Sequence, residues 1–384
     1  MATAIVCEFN PFHNGHKYLI QTAKKLTKEC VIAIMSGSFT QRGEIAITDK
    51  FSRTKVALEN GVDLVVELPT AFSVANAEKF ACGAVNIARS FDCVSSLSFG
   101  CETDDKELLL KSSRAINNEE VRLFLKSEMD KGGYYPSALE FAVRRVFGNE
   151  TADVYKKPNN ILAMEYLKAM QGSGLDFVPI KRTAVAHDSN LINGNFASAS
   201  KIRELLRNGN SAQKFVPSVP EEITYPSKLE TAILYRLRSM GVEDFACLPD
   251  VGEGLENRIF SAVNNYNSVK EIIDSIKTKR YTHSRIRRII TCAFLGITEE
   301  LQNTPAEYVR VLGFTSDGAK LLKHCKFDIV TSVACGLKLN KNTAAHLEKD
   351  IYATDISALA YENIRKKGMD YTTPIVKVYT NTNT

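Results

Sequence analysis

Strand-like and helix-like runs alternate through residues 1–207 of this 384-residue chain. The hydrophobic pattern predicts buried strands at 4–7, 31–35, 63–68, 96–100 and 177–180. It predicts helices between them at 15–28, 49–60, 75–90 and 159–170, and a helical insertion at 104–147. Strands separated by helices pair in parallel through right-handed crossovers. The order therefore predicts an α/β fold with a Rossmann-like parallel sheet.

The turn after the first predicted strand reads Asn10-Pro11-Phe12-His13-Asn14-Gly15-His16. Two histidines thus stand at a helix start, where orphan backbone N–H groups and the helix dipole favour an anion. Gly15 lets the backbone approach a ligand, and imidazoles can stabilise charge as pyrophosphate departs. His13 and His16 are therefore candidate catalytic residues. The alternative is one capping and one packed histidine. A zinc site would need two more ligands, and no Cys/His cluster is present to complete it.

A second helix start of similar character lies at 197–203, with the sequence Ala-Ser-Ala-Ser-Lys-Ile-Arg. Ser198 or Ser200 can cap this helix, and Arg203 lies one turn in, on a side that could face a nucleotide. We expect these three residues to complete the catalytic site. An ordinary helix cap with a solvated arginine is the alternative.

Further polar residues follow other strands of the predicted sheet. Arg42 and Lys50 come after the second strand and are candidate anion contacts. Gly100 ends the fourth strand and would allow close approach of a ribose or base, while Asn159 lies in the first turn of a helix that begins with a proline. Arg182 follows the strand at 177–180 and so reaches the same edge. Solvated charges and a plain turn glycine are the alternatives.

The alternating pattern breaks at 208–226, where Pro217, Pro220 and Pro226 predict a linker. Beyond it, residues 227–310 look helical, and the tail mixes a helix with short strands such as 327–330. We therefore expect a catalytic, ATP-binding domain at 1–207 and a mainly helical domain at 227–384 that binds RNA.

A dense group of cations supports the RNA assignment. Residues 277–288 contain six lysines and arginines and no acid, and they surround Tyr281. Such a footprint favours nucleic-acid phosphate, and a solvated basic face is the alternative. The predicted RNA-binding residues are Lys279, Arg280, Arg285, Arg287 and Arg288.

Composition narrows the class of protein. The net charge of +5 is mild, and the 44% hydrophobic and 24% charged residues are typical of a globular chain. No run approaches the ~18–20 apolar residues that span a bilayer, and we expect neither secretion nor a membrane partner. Nine cysteines without a C-x-x-C pair favour reduced thiols and a cytoplasmic location.

Several long motifs resemble one family, the bacterial tRNA(Met) cytidine acetate ligases of the HIGH-type nucleotidyltransferase superfamily. They cover nearly the whole chain and lie at 8–16, 35–44, 67–69, 157–162, 197–200, 254–258, 279–282 and 309–314. The resemblance implies that ATP and acetate form acetyl-adenylate, and that acetyl then passes to N4 of the wobble cytidine of elongator tRNA(Met). The chemistry of adenylation predicts Mg²⁺ with ATP, held mostly by phosphate oxygens and water, and no tightly held protein-ligated metal.

Carried onto matching positions, the resemblance implies an ATP site. Its residues would be Cys7, Glu8, Phe9, Asn10, Pro11, Phe12, His13, Asn14, Gly15, His16, Lys17, Tyr18, Leu19, Ile20, Gly100, Asn159 and Arg182. Cys7 and Phe9 depart from the aliphatic residue and tyrosine that are common in the family. Two other functions stay open from the residues alone: adenylylation of a small phosphorylated metabolite, and RNA binding without catalysis.

Overall fold

The structure is a computed structural model that describes residues 1–132, 135–182, 192–252 and 254–379. Its strands are β1 (Ala2–Cys7), β2 (Cys30–Ser36), β3 (Leu64–Leu68), β4 (Val94–Cys101), β5 (Asp176–Lys181), β6 (Ile192–Asn193), β7 (Phe196–Ala197), β8 (Tyr308–Thr315), β9 (Asp328–Val330) and β10 (Val376–Val378).

Its α-helices are α1 (Asn14–Thr27), α2 (Lys50–Glu59), α3 (Thr70–Ser73), α4 (Ala77–Arg89), α5 (Lys106–Ala115), α6 (Glu119–Asp130), α7 (Tyr135–Phe147), α8 (Asn149–Val154), α9 (Pro158–Ala169), α10 (Ala199–Arg207), α11 (Glu230–Arg238), α12 (Val242–Ala246), α13 (Leu255–Asn265), α14 (Val269–Ile276), α15 (His283–Leu295), α16 (Glu299–Asn303), α17 (Ser316–Leu321), α18 (Val333–Gly336), α19 (Lys341–Ser357) and α20 (Met369–Thr372). Short 3-10 turns occur at Pro226–Leu229, Leu322–His324 and Ala358–Ala360. Within the described ranges, no helix has both the length and the apolar character needed to cross a membrane.

The first five strands form a parallel sheet in the order β3-β2-β1-β4-β5. Ala4 of β1 pairs with Ile32 on one side and with Leu97 on the other. The predicted Rossmann-like sheet is therefore confirmed, and α5 to α8 form the helical insertion. The strand order reverses between β1 and β4, and open α/β sheets bind their ligands at the carboxyl ends of such strands.

Short polar side chains fix where the helices begin around this sheet. Asp49 caps α2 by accepting a hydrogen bond from the Ser52 backbone N–H at 2.8 Å. Ser198 caps α10 in the same way, accepting from the Lys201 N–H, and Pro158 occupies the first turn of α9. The serine cap and the proline match the sequence prediction. A serine side chain accepts from an N–H group that a helix start leaves unpaired, and proline has no such N–H group.

The last part of the chain differs from the predicted division into domains. β8 pairs antiparallel with β3, with Glu67 opposite Arg310, and β9 and β10 both pair parallel with β8. Residues 308–378 thus extend the sheet of the first domain and do not belong to a separate helical domain at 227–384. The physical reason is that β8 is buried along almost its whole length and uses the edge of β3 to pair its backbone.

The predicted linker at 208–226 is packed against the first domain. Phe215 and Val216 are buried with Ile202 of α10. The Asn14 backbone N–H donates to the Phe215 carbonyl at 2.9 Å, and the Thr224 N–H donates to the Ile47 carbonyl at 2.9 Å. The segment therefore fixes the start of α1 as well as joining two parts of the chain.

Lys50, predicted to contact an anion, lies instead in a buried ion cluster. Its ammonium group is fully buried and lies 2.8 Å from Glu67 and 2.8 Å from Asp370. Arg310 approaches Asp370 from the other side at 3.6 Å. Lys50 joins α2 to β3 and α20, and the sequence could not show this because Asp370 lies in the returning C-terminal segment.

Candidate active site

A cavity of about 290 Å³ opens at the carboxyl ends of β1 and β4, between the starts of α1, α9 and α10. It brings together residues predicted from five separate segments of the chain. Those lining it are Cys7, Glu8, Phe9, Asn10, His13, His16, Leu19, Gly100, Asn159, Arg182, Ser198, Ser200 and Arg203. Arg42, the other predicted anion contact, also lines it.

The two histidines at the start of α1 are held by backbone groups. The His13 Nδ1 atom accepts from the Gly15 N–H at 3.1 Å, and the His16 Nδ1 atom accepts from the His13 N–H at 3.2 Å. Because a backbone N–H can only donate, each neutral imidazole carries its proton on Nε2. Their rings stack with centroids 3.7 Å apart. Burial lowers the pKa of His16 well below its usual value, with the nearby His13 and Arg182 adding to the shift, so His16 is a neutral donor at physiological pH.

The segment before α1 is fixed from two sides. The Arg203 guanidinium donates to the Asn10 carbonyl at 2.9 Å, and the Asn10 side-chain oxygen accepts from the Ile47 N–H at 2.7 Å. Phe9 has φ of 46°, a left-handed conformation that is uncommon outside glycine. Phe9 is fully buried and packs against Phe12 and His16, so tertiary contacts hold this backbone in place.

The second helix start closes the cavity from the opposite side. The Ser198 and Ser200 hydroxyls lie 3.0 Å apart at the start of α10. Arg203 forms an ion pair with Glu44 at 3.2 Å in addition to its bond with Asn10. The arginine therefore connects α10 to the turn before α1 and to the loop after β2, as its predicted place in the site requires.

The β4–β5 side of the cavity holds the remaining predicted residues. Asn159 donates to the Glu102 carboxylate at 2.6 Å, and the same carboxylate accepts from the Asn160 N–H at 3.0 Å. At Gly100 an added methyl group would lie 3.4 Å from the Arg182 side chain, which passes directly over it. These contacts place an amide and a guanidinium beside a backbone that a planar or sugar ring could approach.

Sequence reasoning missed the aromatic wall of this cavity. Phe80 of α4, Phe99 of β4 and Tyr166 of α9 line it together, and the rings of Phe99 and Tyr166 lie 5.7 Å apart. Tyr166 stands two helical turns after Asn159, and Phe99 immediately precedes Gly100, so both share the site's elements. Their closeness in sequence to Asn159 and Gly100 was the one signal that could have revealed them. Without it, aromatic residues in a buried strand and helix are interpreted as core residues.

The sequence also did not reveal how Glu8 and Arg53 hold the strand ends beneath the cavity. Glu8 follows β1, and one carboxylate oxygen accepts from the Gln41 N–H at 2.8 Å. Arg53 of α2 is buried and donates to the carbonyls of Glu8 at 2.6 Å and Ser36 at 3.0 Å. The ends of β1 and β2 are thus joined beneath the cavity by a single guanidinium.

Seven residues that the resemblance assigned to ATP do not line the cavity. Asn14 holds the segment at 208–226, since its side chain donates to the Asn195 and Lys214 carbonyls. Phe12 and Ile20 are buried in the core beside the sheet. The seven are Pro11, Phe12, Asn14, Gly15, Lys17, Tyr18 and Ile20.

The predicted RNA-binding residues separate into two groups. Lys279 and Arg280 are exposed just before α15. The arginines on α15 have partners within the protein: Arg285 donates to the Asp250 carbonyl at 2.7 Å, Arg288 lies 3.5 Å from the Asp250 carboxylate, and Arg287 pairs with Glu44. The density of cations in the sequence did not reveal these partners, which lie in distant segments.

A second cavity, of about 620 Å³, lies between α10, α11, α14, α15 and the loop after β2. It shares Glu44, Ser200 and Arg203 with the first cavity. Among the described residues, no group of three or more His, Cys, Asp or Glu side chains could hold a metal ion. The first cavity instead presents guanidinium groups and Nε2–H donors, which suit a polyphosphate.

Comparison with known proteins agrees with this geometry. The chain matches the model of the HIGH Nucleotidyl Transferase family over residues 1–371. The tRNA(Met) cytidine acetate ligase of Thermoanaerobacter sp. (strain X514) is 38% identical, with 97% of this chain and 99% of the relative covered. The tRNA(Met) cytidine acetate ligase of Clostridium kluyveri is 39% identical, with coverage of 94% and 95%.

Two crystal structures of Thermotoga maritima TmcAL have the same fold. The apo form gives a TM-score of 0.91 at 29% identity, covering 99% of this chain and 100% of that chain. The form bound with alpha-thio ATP gives a TM-score of 0.89 at 30% identity, with the same coverage. The sequence matches and the whole-chain superposition agree: this chain belongs to the tRNA(Met) cytidine acetate ligase family of HIGH nucleotidyl transferases.

Proposed function

We propose that this protein is an ATP-dependent ligase that activates acetate as acetyl-adenylate and transfers the acetyl group to N4 of the wobble cytidine of elongator tRNA(Met). The observation that carries the proposal is the first cavity, where two helix starts and two Nε2–H histidines converge in a chain that aligns along its length with tRNA(Met) cytidine acetate ligases. Free cysteines throughout the chain favour the cytoplasm as its location.

In the first step an acetate oxygen attacks the α-phosphorus of ATP in line, and pyrophosphate leaves. The protein's part is positioning and stabilisation of charge, because no protein nucleophile is required. The Nε2–H groups of His13 and His16 would donate to phosphate oxygens, and Arg203 would neutralise charge from the opposite helix start. The hydroxyls of Ser198 and Ser200 offer further hydrogen bonds there.

ATP would enter as its magnesium complex, with the ion held by phosphate oxygens and water. The adenosine would lie on the β4–β5 side, over Gly100 and between Asn159, Arg182 and the aromatic wall. An aromatic wall suits the face of a purine, and a backbone without a side chain admits a sugar.

In the second step the tRNA would bind the helical region and present cytidine to the adenylate. Lys277, Lys279 and Arg280 are exposed together before α15 and would contact RNA phosphates. We therefore assign RNA binding first to these residues, and a structural contribution to Arg285, Arg287 and Arg288.

The test combines purified protein with ATP, labelled acetate and tRNA(Met), and follows pyrophosphate, acetyl-adenylate and acetylated cytidine. We expect all three, with pyrophosphate release dependent on acetate. If pyrophosphate forms only with a phosphorylated metabolite, the protein is a small-molecule adenylyltransferase. If tRNA binds but no ATP is consumed by folded protein, the catalytic assignment is wrong.

A further inference from the structure

The second step of the proposed reaction needs a group that accepts a proton, and the histidines of the site cannot be that group. Each Nδ1 atom already accepts a backbone N–H, and each Nε2 atom carries the proton of the neutral ring. Both rings line the cavity, and neither has a ring-nitrogen lone pair left to accept a proton. A base supplied by the protein therefore has to be another side chain.

Among the residues that the structure describes, two carboxylates line the cavity, Glu8 and Glu44. Glu44 forms ion pairs with Arg203 and with Arg287, one to each of its oxygens. Two guanidinium partners thus occupy both of the oxygens that a proton would need. Glu8 has one neutral donor, the Gln41 N–H, on Oε1, and among the described residues nothing donates to its Oε2.

The position of Glu8 also suits the acceptor. It follows β1 and contacts the loop after β2, whereas Gly100, Asn159 and Arg182 lie on the β4–β5 side of the same cavity. With the adenosine over β4 and β5, the space above β1 and β2 is left for the group that attacks the adenylate. Glu8 lines the cavity beside the loop after β2, and Arg53 fixes its backbone by binding its carbonyl at 2.6 Å.

We propose that Glu8 is the general base of acetyl transfer: its carboxylate accepts a hydrogen bond from the N4 amino group of cytidine and removes a proton from it. The proposal rests on the function proposed above and deepens it. A carboxylate is also the side chain that recognises the cytosine N4 amine, which donates and cannot accept there. One residue would thereby select cytidine and activate it.

The step balances without any further reactant. The N4 nitrogen forms a bond to the acetyl carbonyl carbon, and the bond from that carbon to the phosphate oxygen breaks. The electron pair of the broken bond leaves with AMP, and the N4 proton moves to Glu8 and then to water. Burial raises the pKa of Glu8 above its usual value and outweighs the nearby Arg203 and Arg42, which lower it, while Glu44 adds to the rise. The shift brings the carboxylate closer to the range where it accepts protons effectively.

The experiment separates the two steps with Glu8→Gln, which keeps an oxygen to accept from Gln41 and loses the base. We expect single-turnover transfer from preformed acetyl-adenylate to slow by about 10²-fold or more, and by a much larger factor than acetate-dependent pyrophosphate exchange. The matched variant Glu102→Gln loosens Asn159 on the adenosine side, so it should slow pyrophosphate exchange more than transfer.

Glu8→Asp retains a carboxylate and should keep the fall in transfer rate at low pH that Glu8→Gln loses. Equal slowing of both steps in Glu8→Gln, or an unchanged transfer rate, would overturn the assignment and make Glu8 an ATP-binding residue only. If Glu8→Gln fails to fold, Glu8→Asp decides: transfer that no longer varies with pH would contradict the proposal. Wild-type protein that forms no acetyl-adenylate would instead remove the proposed function itself.

Discussion

Arg53 offers the sharpest test of how the site is held together. Its guanidinium is buried and donates to carbonyls at the ends of two neighbouring strands, Glu8 at 2.6 Å and Ser36 at 3.0 Å. It also donates to the Gly37 carbonyl and, at 3.2 Å, to the Thr48 carbonyl. No other side chain in the described residues bonds the Glu8 and Ser36 carbonyls at once, so the frame of the cavity depends on it.

The variant Arg53→Met keeps most of the side-chain volume and removes every donor. The carbonyls of Ser36 and Gly37 are buried and would lose a charged partner, and a buried unsatisfied acceptor costs about 1–3 kcal/mol. Part of the loss at Glu8 would be recovered by water from the cavity. We therefore expect the free energy of unfolding to fall by about 3–5 kcal/mol.

Urea unfolding measures this change, and ATP titration calorimetry measures its effect on the site. ATP affinity should fall by about tenfold or more, because Glu8 lines the cavity and would lose its backbone anchor. The control is Lys55→Met, an exposed cation on the same helix that should change stability by less than about 0.5 kcal/mol. A loss below about 1 kcal/mol in Arg53→Met, or an equal loss in Lys55→Met, would refute the reasoning.

Three further predictions test the site, the buried cluster and the basic segment. His13→Ala and His16→Ala should each slow acetyl-adenylate formation by about 10²–10³-fold, measured by pyrophosphate exchange, with tRNA retardation in a gel unchanged. Burial raises the pKa of Glu67 to about 7, from an ordinary 4.5. A carboxyl group whose pKa is raised by folding binds a proton more readily in the native state than in the unfolded state. As the pH is lowered from 7.5 to 5.5, the melting temperature of the wild type should therefore rise relative to that of Glu67→Gln. The same pH dependence in both proteins would contradict this. The double variant Lys279→Ala/Arg280→Ala should weaken tRNA binding and lower the slope of log affinity against log salt concentration by roughly 1–2. Arg288→Ala should instead lower the melting temperature. The opposite pattern would assign RNA binding to α15.

Local patterns in the sequence were sufficient for the first domain. Alternating apolar runs predicted β1 to β5 to within about two residues, and capping residues placed the starts of α9 and α10. The turn at His13 was recognisable because its glycine, histidines and position after a strand act within a few residues. Features of this kind depend on neighbours in the sequence, and the sequence therefore predicts them.

Features that depend on distant partners were not predictable in the same way. The short strand predicted at 327–330 is found as β9, but its pairing with β8 was not predictable. β10 has three residues, which is too short for a hydrophobic period to show, and it pairs with the edge of β8. In the sequence Lys50 resembles a solvated cation, because its partner Asp370 lies 320 residues away. The arginines of α15 were likewise interpreted without their partners, Asp250 and Glu44, which lie in other segments.

Return of the chain to the sheet has a consequence for how the two halves of the proposed reaction are joined. The helical region leaves the first domain after α10 and re-enters it at β8, so it is anchored at both ends. Between these anchors, Glu44 binds Arg203 of α10 and Arg287 of α15, and it stands between the two cavities.

The exposed cations before α15 are therefore connected to the histidine turn through packed contacts and ion pairs of the described residues. Acetyl-adenylate is a mixed anhydride that water hydrolyses, so an acceptor bound at fixed geometry would attack the intermediate before water does. On this view Glu44→Gln, which loosens both arginines while leaving Glu8 intact, should raise the fraction of acetyl-adenylate lost to water relative to acetylated tRNA. Unchanged partition of the intermediate would show that the ion pairs only stabilise the fold.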